Sequence, residues 1–465
     1  MTSHLPPELL DDIFSYLHAT SWDSSDCSVV RKPHLASCSL VCREWSIVAR
    51  PRLFRDIVFS FRPVPYDAVL NDQGDYMGTR PKYDSFHPTL KPDVRYKTFP
   101  MLCAFIQQSP LAQNSIRRLR LDGWPRGQGG FLHDADRIYA AAFTQLLHLL
   151  PGLRVLHLYN VGIAHPYTRK PPISHPSLRR VFIVNADDTD ALMRRWPDID
   201  VPAILDCFAR IEELQLRFPV IPRFDTAPRE GWPAMEVDRL ILDDTSYLDD
   251  GLFDYLFQVR HVGKVRELCA HYLSPDSAID LLAEVRFEVL RIATEEPGEY
   301  DDLEGMFDLS FFTEMKHLVL DMPFSLAQNN TPALQGTAVT MLEELARAIG
   351  LSNTAGLPFT HLSLYLDGMV SYCAALPPGQ TDPIPADQQD LEAFESVLSH
   401  IIRQHNLPGV EFILDGTNPH TLSTKDAEDV LKKCCPNLAA QGKLIISWNP
   451  EGDPFDRYNT DRFLK

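Results

Sequence analysis

Residues 116–121 read Ile116-Arg117-Arg118-Leu119-Arg120-Leu121: apolar, two variable residues, apolar, one variable residue, apolar. Successive side chains of a β-strand point to opposite faces, so Leu119 and Leu121 share one face and the residues between them share the other. The stretch therefore predicts a short strand that buries one face.

The same pattern recurs at irregular intervals along the chain. Further copies begin at Leu153, Leu178, Ile211, Val237, Val265, Phe287, Met315 and Phe359, with looser copies at 410–414 and 444–446. Helical patterns lie between them, at 135–150, 202–209, 249–259, 278–285, 337–349, 388–403 and 424–433. Strands that alternate with helices favour a parallel sheet. The irregular spacing indicates a family of related units rather than a strict repeat.

This alternation resembles the leucine-rich-repeat architecture. The resemblance implies an α/β fold in which residues 98–465 form an irregular solenoid, with parallel strands on the concave face and helices outside. The intervening strand positions are then expected to line an exposed sheet. The asparagine expected three positions after the last leucine is absent from every copy, so no named subclass is assigned.

The N-terminus carries two amphipathic segments. The first has Leu9, Leu10, Ile13, Phe14 and Leu17 at helical spacing, after prolines that a first helical turn tolerates. The second follows Pro33, and its apolar stripe consists of Leu35, Cys38, Val41, Cys42, Trp45, Val48 and Ala49. Such short helices bury too little surface to be stable alone. They either cap the body behind them or dock another protein.

The runs LPPELLDDIFSYL, LASCSLVCREWSIVA and LFRDIVF together resemble the F-box. The resemblance implies that residues 1–60 form a short all-helical domain that binds the Skp adaptor of cullin–RING ubiquitin ligases. The residues implied in adaptor binding are Leu5, Pro6, Leu9, Leu10, Ile13, Phe14, Leu17, Leu40, Val41, Cys42, Trp45, Leu53 and Phe54. Some of them would face the adaptor and others would form the domain's own core, and the sequence does not separate the two groups.

Two segments depart from these patterns. Residues 18–33 are a longer insertion between the first two F-box runs than the family usually has, which a surface loop tolerates because loop entropy grows slowly with length. Residues 61–97 contain several prolines and no sustained period, so we expect an irregular linker or loop. Degenerate repeats behind an F-box resemble fungal F-box proteins in particular.

Composition restricts the partners. The formal net charge of -19 disfavours nucleic acid as the main partner, because uncompensated acids repel phosphate backbones. We find no run of about 18 apolar residues and no basic, apolar leader, so we expect no membrane segment and a cytoplasmic and/or nuclear location. The nine cysteines lack the paired spacing of zinc sites, and we expect no metal or other cofactor.

A (β/α) barrel enzyme would show the same alternation of elements. Aspartates follow several predicted strands, at Asp122, Asp243, Asp321, Asp367 and Asp415, where barrels place catalytic groups. Eleven candidate strands exceed the eight of a barrel, however, and the phosphate-loop, zinc-protease and nucleophile-elbow motifs are absent. We therefore expect no catalytic residues.

Alternate positions of the predicted strands give a candidate surface for an unknown protein substrate. Its residues are Arg118, Arg120, His157, Tyr159, Arg180, Phe182, Arg217 and Arg239. Arginine and aromatic side chains are typical of protein-binding surfaces. Because arginine concentrates in the first strands, we expect an acidic or phosphorylated segment to bind there.

The sequence thus predicts the substrate-recognition subunit of an SCF-type cullin–RING ubiquitin ligase, which would serve ubiquitin-dependent protein degradation. The alternative is a non-catalytic repeat scaffold whose N-terminal helices only cap the solenoid.

Overall fold

The computed structural model describes part of the chain, and every element below lies within that part. The described residues are 9–10, 13–14, 33–61, 68–70, 76–79, 99–123, 138–159, 161, 163–164, 175–184, 204–217, 234–243, 256, 261–262, 265–270, 286–292, 314–322, 324–326, 332–334, 339, 342–343, 345–347, 360–366, 388–415 and 424–449.

The chain divides into two compact units. The first comprises Met1–Glu236, Asp254–His261 and Thr460–Lys465, and the second comprises Val237–Phe253 and Val262–Asn459.

The helices of the first unit are α1 (Pro33–Cys38), α2 (Arg43–Arg55), α3 (Phe99–Gln108), α4 (Pro110–Ser115) and α5 (Ala140–Leu149). Its strands are β1 (Asp56–Ser60), β2 (Ala68–Leu70), β3 (Tyr76–Thr79), β4 (Arg118–Asp122), β5 (Ile138–Tyr139), β6 (Val155–Tyr159), β7 (Ile163–Ala164), β8 (Arg180–Val184) and β9 (Arg210–Arg217). The order β1-β4-β6-β8-β9 forms a parallel sheet in which each strand pairs with the next in register.

The strands of the second unit are β10 (Glu236–Asp243), β11 (Glu267–Ala270), β12 (Val289–Ile292), β13 (His317–Met322), β14 (Phe324–Leu326), β15 (Pro332–Leu334), β16 (His361–Leu366), β17 (Val410–Asp415) and β18 (Leu444–Asn449). Its helices are α6 (Gln388–Gln404), α7 (Thr424–Cys434) and α8 (Pro436–Ala440). The order β10-β11-β12-β13-β16-β17-β18 is again parallel throughout.

Apolar side chains of the recurring pattern stack strand upon strand into columns. In the first unit one column consists of Ile57, Leu119, Leu156, Val181 and Leu214. In the second unit the same pattern position gives Leu240, Leu268, Leu290, Leu318, Leu362 and Val410, all buried. The α/β body of parallel strands predicted from the sequence, behind a helical N-terminal region, is confirmed.

Strand β1 is a copy of the pattern that the sequence analysis did not recognise. The stretch Phe54-Arg55-Asp56-Ile57-Val58-Phe59 has the same apolar spacing, and Ile57 pairs with Leu119 in the sheet. Helix α2 ends at Arg55 and β1 begins at Asp56, so the N-terminal helical region continues into the sheet without an intervening loop.

Several local predictions differ from the structure. Within 61–97, β2 and β3 form an antiparallel pair with a bulge after Val69, where we expected only irregular chain. Within the predicted helix 135–150, residues 138–139 form β5 and the helix α5 starts at Ala140. Helices α3 and α4 were not predicted, whereas 388–403 and 424–433 correspond to α6 and α7. The predicted helix 278–285 lies outside the described residues, as does 249–259 except for Leu256.

Several of the intervening strand positions are buried, contrary to the expectation of an exposed sheet face, whereas Arg118 and Arg180 remain partly exposed. Phe182, Gln215, Ile241, Cys269 and Ser363 are each at most 1% exposed. Parallel sheets are characteristically covered on both faces. Positions that the sequence pattern assigns to an exposed face can therefore be buried in such a sheet.

Several polar groups at these buried positions have partners across adjacent strands, whereas the Gln215 amide makes no hydrogen bond among the described residues. The Arg291 guanidinium donates two hydrogen bonds of 2.8 Å to the Asp321 carboxylate and lies 4.0 Å from the centre of the Tyr365 ring. The Ser363 hydroxyl donates to Glu411 at 2.7 Å and accepts from His317 Nε2 at the same distance. These pairings offset the cost of burying charge and polarity.

Substitution of Gly409 tests how closely the backbones of β17 and β18 approach each other. Its Cβ, if present, would collide with the backbone carbonyl of Lys443, which accepts the Val410 N–H at 2.9 Å. Because that backbone is held in the sheet, we expect Gly409→Ala to lower the free energy of unfolding by about 1–3 kcal/mol in urea denaturation.

Gly152→Ala is the matched control. A Cβ at position 152 meets only the end of the Arg117 side chain, which can rotate away. We expect a loss below about 0.5 kcal/mol. Equal losses in the two variants would contradict the proposed difference between a backbone and a side-chain obstacle.

Candidate protein-docking surfaces

The N-terminal helical region has a small core of its own. Leu10, Phe14, Leu35 and Ala49 are buried together, with Trp45 packed against them. The rings of Phe14 and Trp45 meet edge to face, with centroids 5.5 Å apart and an interplanar angle of 71°. Leu10 and Phe14, two of the candidates for adaptor contact, are buried in this core, whereas Trp45 is half-buried against it.

Other apolar residues of the same region are exposed. Leu9 is 49% exposed and Ile13 is 44% exposed, and these two are one helical turn apart on the face beside Leu10 and Phe14. In the turn between α1 and α2, Leu40 is 82% exposed and Val41 is 62% exposed.

One exposed residue was missed by the sequence analysis. Ile47 is 64% exposed and lies off the α2 stripe that contains Trp45, Val48 and Ala49. The sequence could have predicted this exposure, because Ile47 is an apolar residue that lies outside the buried stripe of the helix. We call Leu9, Ile13, Leu40, Val41 and Ile47 the apolar face.

The remaining adaptor candidates fall into three groups. Cys42 is exposed, whereas Leu53 and Phe54 are half-buried, with the Phe54 ring 6.1 Å from that of Phe105. Leu5, Pro6 and Leu17 lie outside the described residues.

The arginines predicted for substrate binding pair with carboxylates of their own chain. Arg118 lies 3.6 Å from Asp56, and Arg180 lies 3.7 Å from Glu213. Arg239 lies 2.7 Å from Glu267, a distance typical of a charge-assisted hydrogen bond.

These pairs join adjacent strands at one register position. Arg120 pairs with Asp122 on its own strand and also lies 5.2 Å from the Tyr159 ring centre. Arg217 is half-buried and takes part in further contacts. The positive charge expected for an acidic partner on this face is thus largely compensated within the protein.

Phe182 lies beneath this face rather than on it. It is fully buried, and the His157 ring stacks on it at 4.5 Å with an interplanar angle of 18°. Loss of hydration, together with the positive charges of Arg120 and Arg118, lowers the pKa of His157 to about 3. His157 is therefore neutral at physiological pH and acts as a packing residue.

Two of the strand-end aspartates pair with arginines, and Asp367 lies outside the described residues. Asp122 and Asp321 accept hydrogen bonds from Arg120 and Arg291. No cluster of three or more potential metal ligands occurs among the described residues. Burial raises the pKa of the Cys103 thiol to about 11 and that of Cys434 to about 12, so neither is a nucleophile at neutral pH.

The helical region thus has a core of its own and several exposed apolar side chains, and it is joined directly to the parallel α/β body. Residues 2–60 match the model of the F-box-like family. The chain therefore carries an F-box-like domain over these residues. No curated protein matches the chain. Among the described residues, no helix has the length and apolarity needed to span a bilayer.

The lowered pKa of His157 predicts a pH dependence of stability. Between about pH 3 and the ordinary histidine pKa near 6.5, the unfolded chain binds one more proton at this position than the folded chain does. The stabilisation that the folded protein gains from keeping His157 neutral is therefore fully present above about pH 6.5. It is lost as the pH falls, and the free energy of unfolding decreases by at most about 1.4 kcal/mol per pH unit.

We expect His157→Phe, which keeps a ring against Phe182, to flatten the stability profile between pH 6.5 and 4 in urea denaturation. The pKa values of His175 and His317 are also lowered by loss of hydration, so the informative quantity is the difference between the two profiles. Identical slopes in wild type and variant would contradict the assignment.

Proposed function

We propose that this protein is the substrate-recognition subunit of an SCF-type cullin–RING ubiquitin ligase. The apolar face would dock the Skp adaptor, and the parallel-strand body would hold a protein substrate. The F-box match at residues 2–60 supports the adaptor contact. The body's leucine-rich-repeat character, the resemblance to fungal F-box proteins and the cytoplasmic or nuclear location are predictions from the sequence.

The observation that carries the proposal is the concentration of exposed apolar side chains in the F-box. Large apolar side chains exposed in the described part of the chain are Leu9, Ile13, Leu40, Val41, Ile47, Phe105, Leu111, Tyr139 and Ile445. More than half of them form the apolar face, although the F-box supplies only a small part of the described residues. Burying one such side chain contributes about 1.5–3 kcal/mol, which a partner protein would gain on binding.

The alternative, in which the helices only cap the body, explains the buried residues but not the exposed ones. Leu10, Phe14 and Trp45 already meet the demand for a core. A cap has no use for Leu40 and Val41 in an exposed turn, where they cost solubility.

In the proposed ligase the chemistry takes place in other subunits. The described residues supply strand-end carboxylates paired with arginine and thiols of raised pKa, which favours a non-catalytic role. The contribution of this protein to the rate would be proximity, since it would hold substrate lysines near a charged carrier enzyme.

The test is direct binding of purified Skp adaptor to the full chain, measured by calorimetry. We expect the double variant Leu40→Asp, Val41→Asp to weaken binding at least about 30-fold, because two charges would be placed in an apolar contact. Both residues are exposed, so the fold should tolerate the change.

The control is Ile445→Asp, which places a charge on another exposed apolar residue, 47% exposed, on β18. It should bind the adaptor as wild type does. Absence of adaptor binding by the wild-type chain, or equal loss in the control, would favour the scaffold alternative.

A further inference from the structure

Four arginines lie in one row at the edge where the strands of the first unit begin. The Arg117 N–H donates to the Arg55 carbonyl at 2.7 Å, the Arg154 N–H to the Arg117 carbonyl at 2.8 Å, and the Arg179 N–H to the Arg154 carbonyl at 2.8 Å. These backbone hydrogen bonds hold the four residues at one register position. We call Arg55, Arg117, Arg154 and Arg179 the arginine row.

Three of the four side chains of the row are exposed to solvent. Arg55 and Arg154 are exposed, and the Arg179 side chain is 62% exposed. Arg117 is half-buried, and Gly152 leaves room for its guanidinium, because a Cβ there would occupy the same space.

The row has little counter-charge of its own. Within the described residues Arg55 and Arg154 have no carboxylate at ion-pair distance, and Arg117 makes only a 3.4 Å contact with the Ile116 carbonyl. Arg179 has one distant partner, Glu212, at 3.8 Å. This differs from the sheet face, where Arg118, Arg180 and Arg239 are paired.

The same register position of the second unit shows a different arrangement. There the backbone hydrogen bonds connect Asp238, Arg266, Glu288 and Lys316, so acids and bases alternate. Lys316 lies 3.7 Å from Glu288. The pattern position therefore does not require arginine, and the row is a local concentration of positive charge in a chain of net charge -19.

We propose that the arginine row binds an extended protein segment rich in aspartate and glutamate. Guanidinium groups bind carboxylates through paired hydrogen bonds. Three strand spacings give the row a length of about 14 Å, which an extended chain covers with about four to five residues. The overall negative charge opposes a nucleic acid, whose phosphates extend beyond the row.

The inference rests on the proposed function in so far as the acidic segment belongs to the substrate. The row begins at the last residue of α2 in the F-box and runs along the body, so the acidic segment would lie beside the F-box. Peptide binding and adaptor binding are measured separately, and one can fail without the other.

The experiment is fluorescence polarisation with the full chain and labelled hexaglutamate. We expect saturable binding that weakens with added salt, and no binding of hexaglutamine. The double variant Arg154→Gln, Arg179→Gln should weaken hexaglutamate binding about fivefold to tenfold, while adaptor binding stays as in wild type.

The matched control is Arg266→Gln, Arg403→Gln, which removes the same charge from exposed arginines of the second unit. Arg266 occupies the same register position as the row but has acidic neighbours. The affinity of this control double variant for hexaglutamate should differ from that of wild type by less than twofold. The two double variants should have the same midpoint of thermal unfolding.

Three outcomes would overturn the inference. The first is no saturable hexaglutamate binding by the wild-type chain. The second is equal weakening in the control, which would mean that net charge alone matters. The third is tighter binding of a hexathymidylate than of hexaglutamate, which would assign the row to nucleic acid.

Discussion

The in-register pairing of parallel strands is the constraint on which the rest of the structure depends. Each strand places its apolar residues directly beside those of the next, as Leu119, Leu156 and Val181 show. A shift of one residue would exchange the two faces of a strand, so the buried columns fix the register. Once the register is fixed, every other position also has a determined neighbour.

Charges on the structure follow from that register. At one position it brings Arg180 beside Glu213 and Arg239 beside Glu267, and these side chains neutralise each other. One residue before this position in the strands of the first unit, the register places the arginines of the arginine row beside one another. The same periodicity thus produces a compensated sheet face and an uncompensated edge, and only the second has charge left over for a partner.

Much of this was predictable from the amino-acid sequence. The spacing of Ile116, Leu119 and Leu121 is a local signal that repeats, so the strands and their common direction followed from it. The exposure of Leu40 and the burial of Phe14 were not predictable, because both match the F-box and only the packing around Trp45 separates them. The pairing of Arg118 with Asp56 was missed because Phe54-Arg55-Asp56-Ile57 had been assigned to the F-box alone.

Helix α2 ends at Arg55 and strand β1 begins at Asp56, and this direct connection limits where the chain can be truncated. The F-box match ends at residue 60, yet β1 within it is hydrogen-bonded to β4 along its whole length. Removing residues 1–60 would strip β4 of its neighbour and leave a row of open backbone groups, which invites aggregation. A shortened chain that loses its partners would therefore report damage to the body as well as loss of the F-box. Point substitutions on the apolar face avoid this ambiguity.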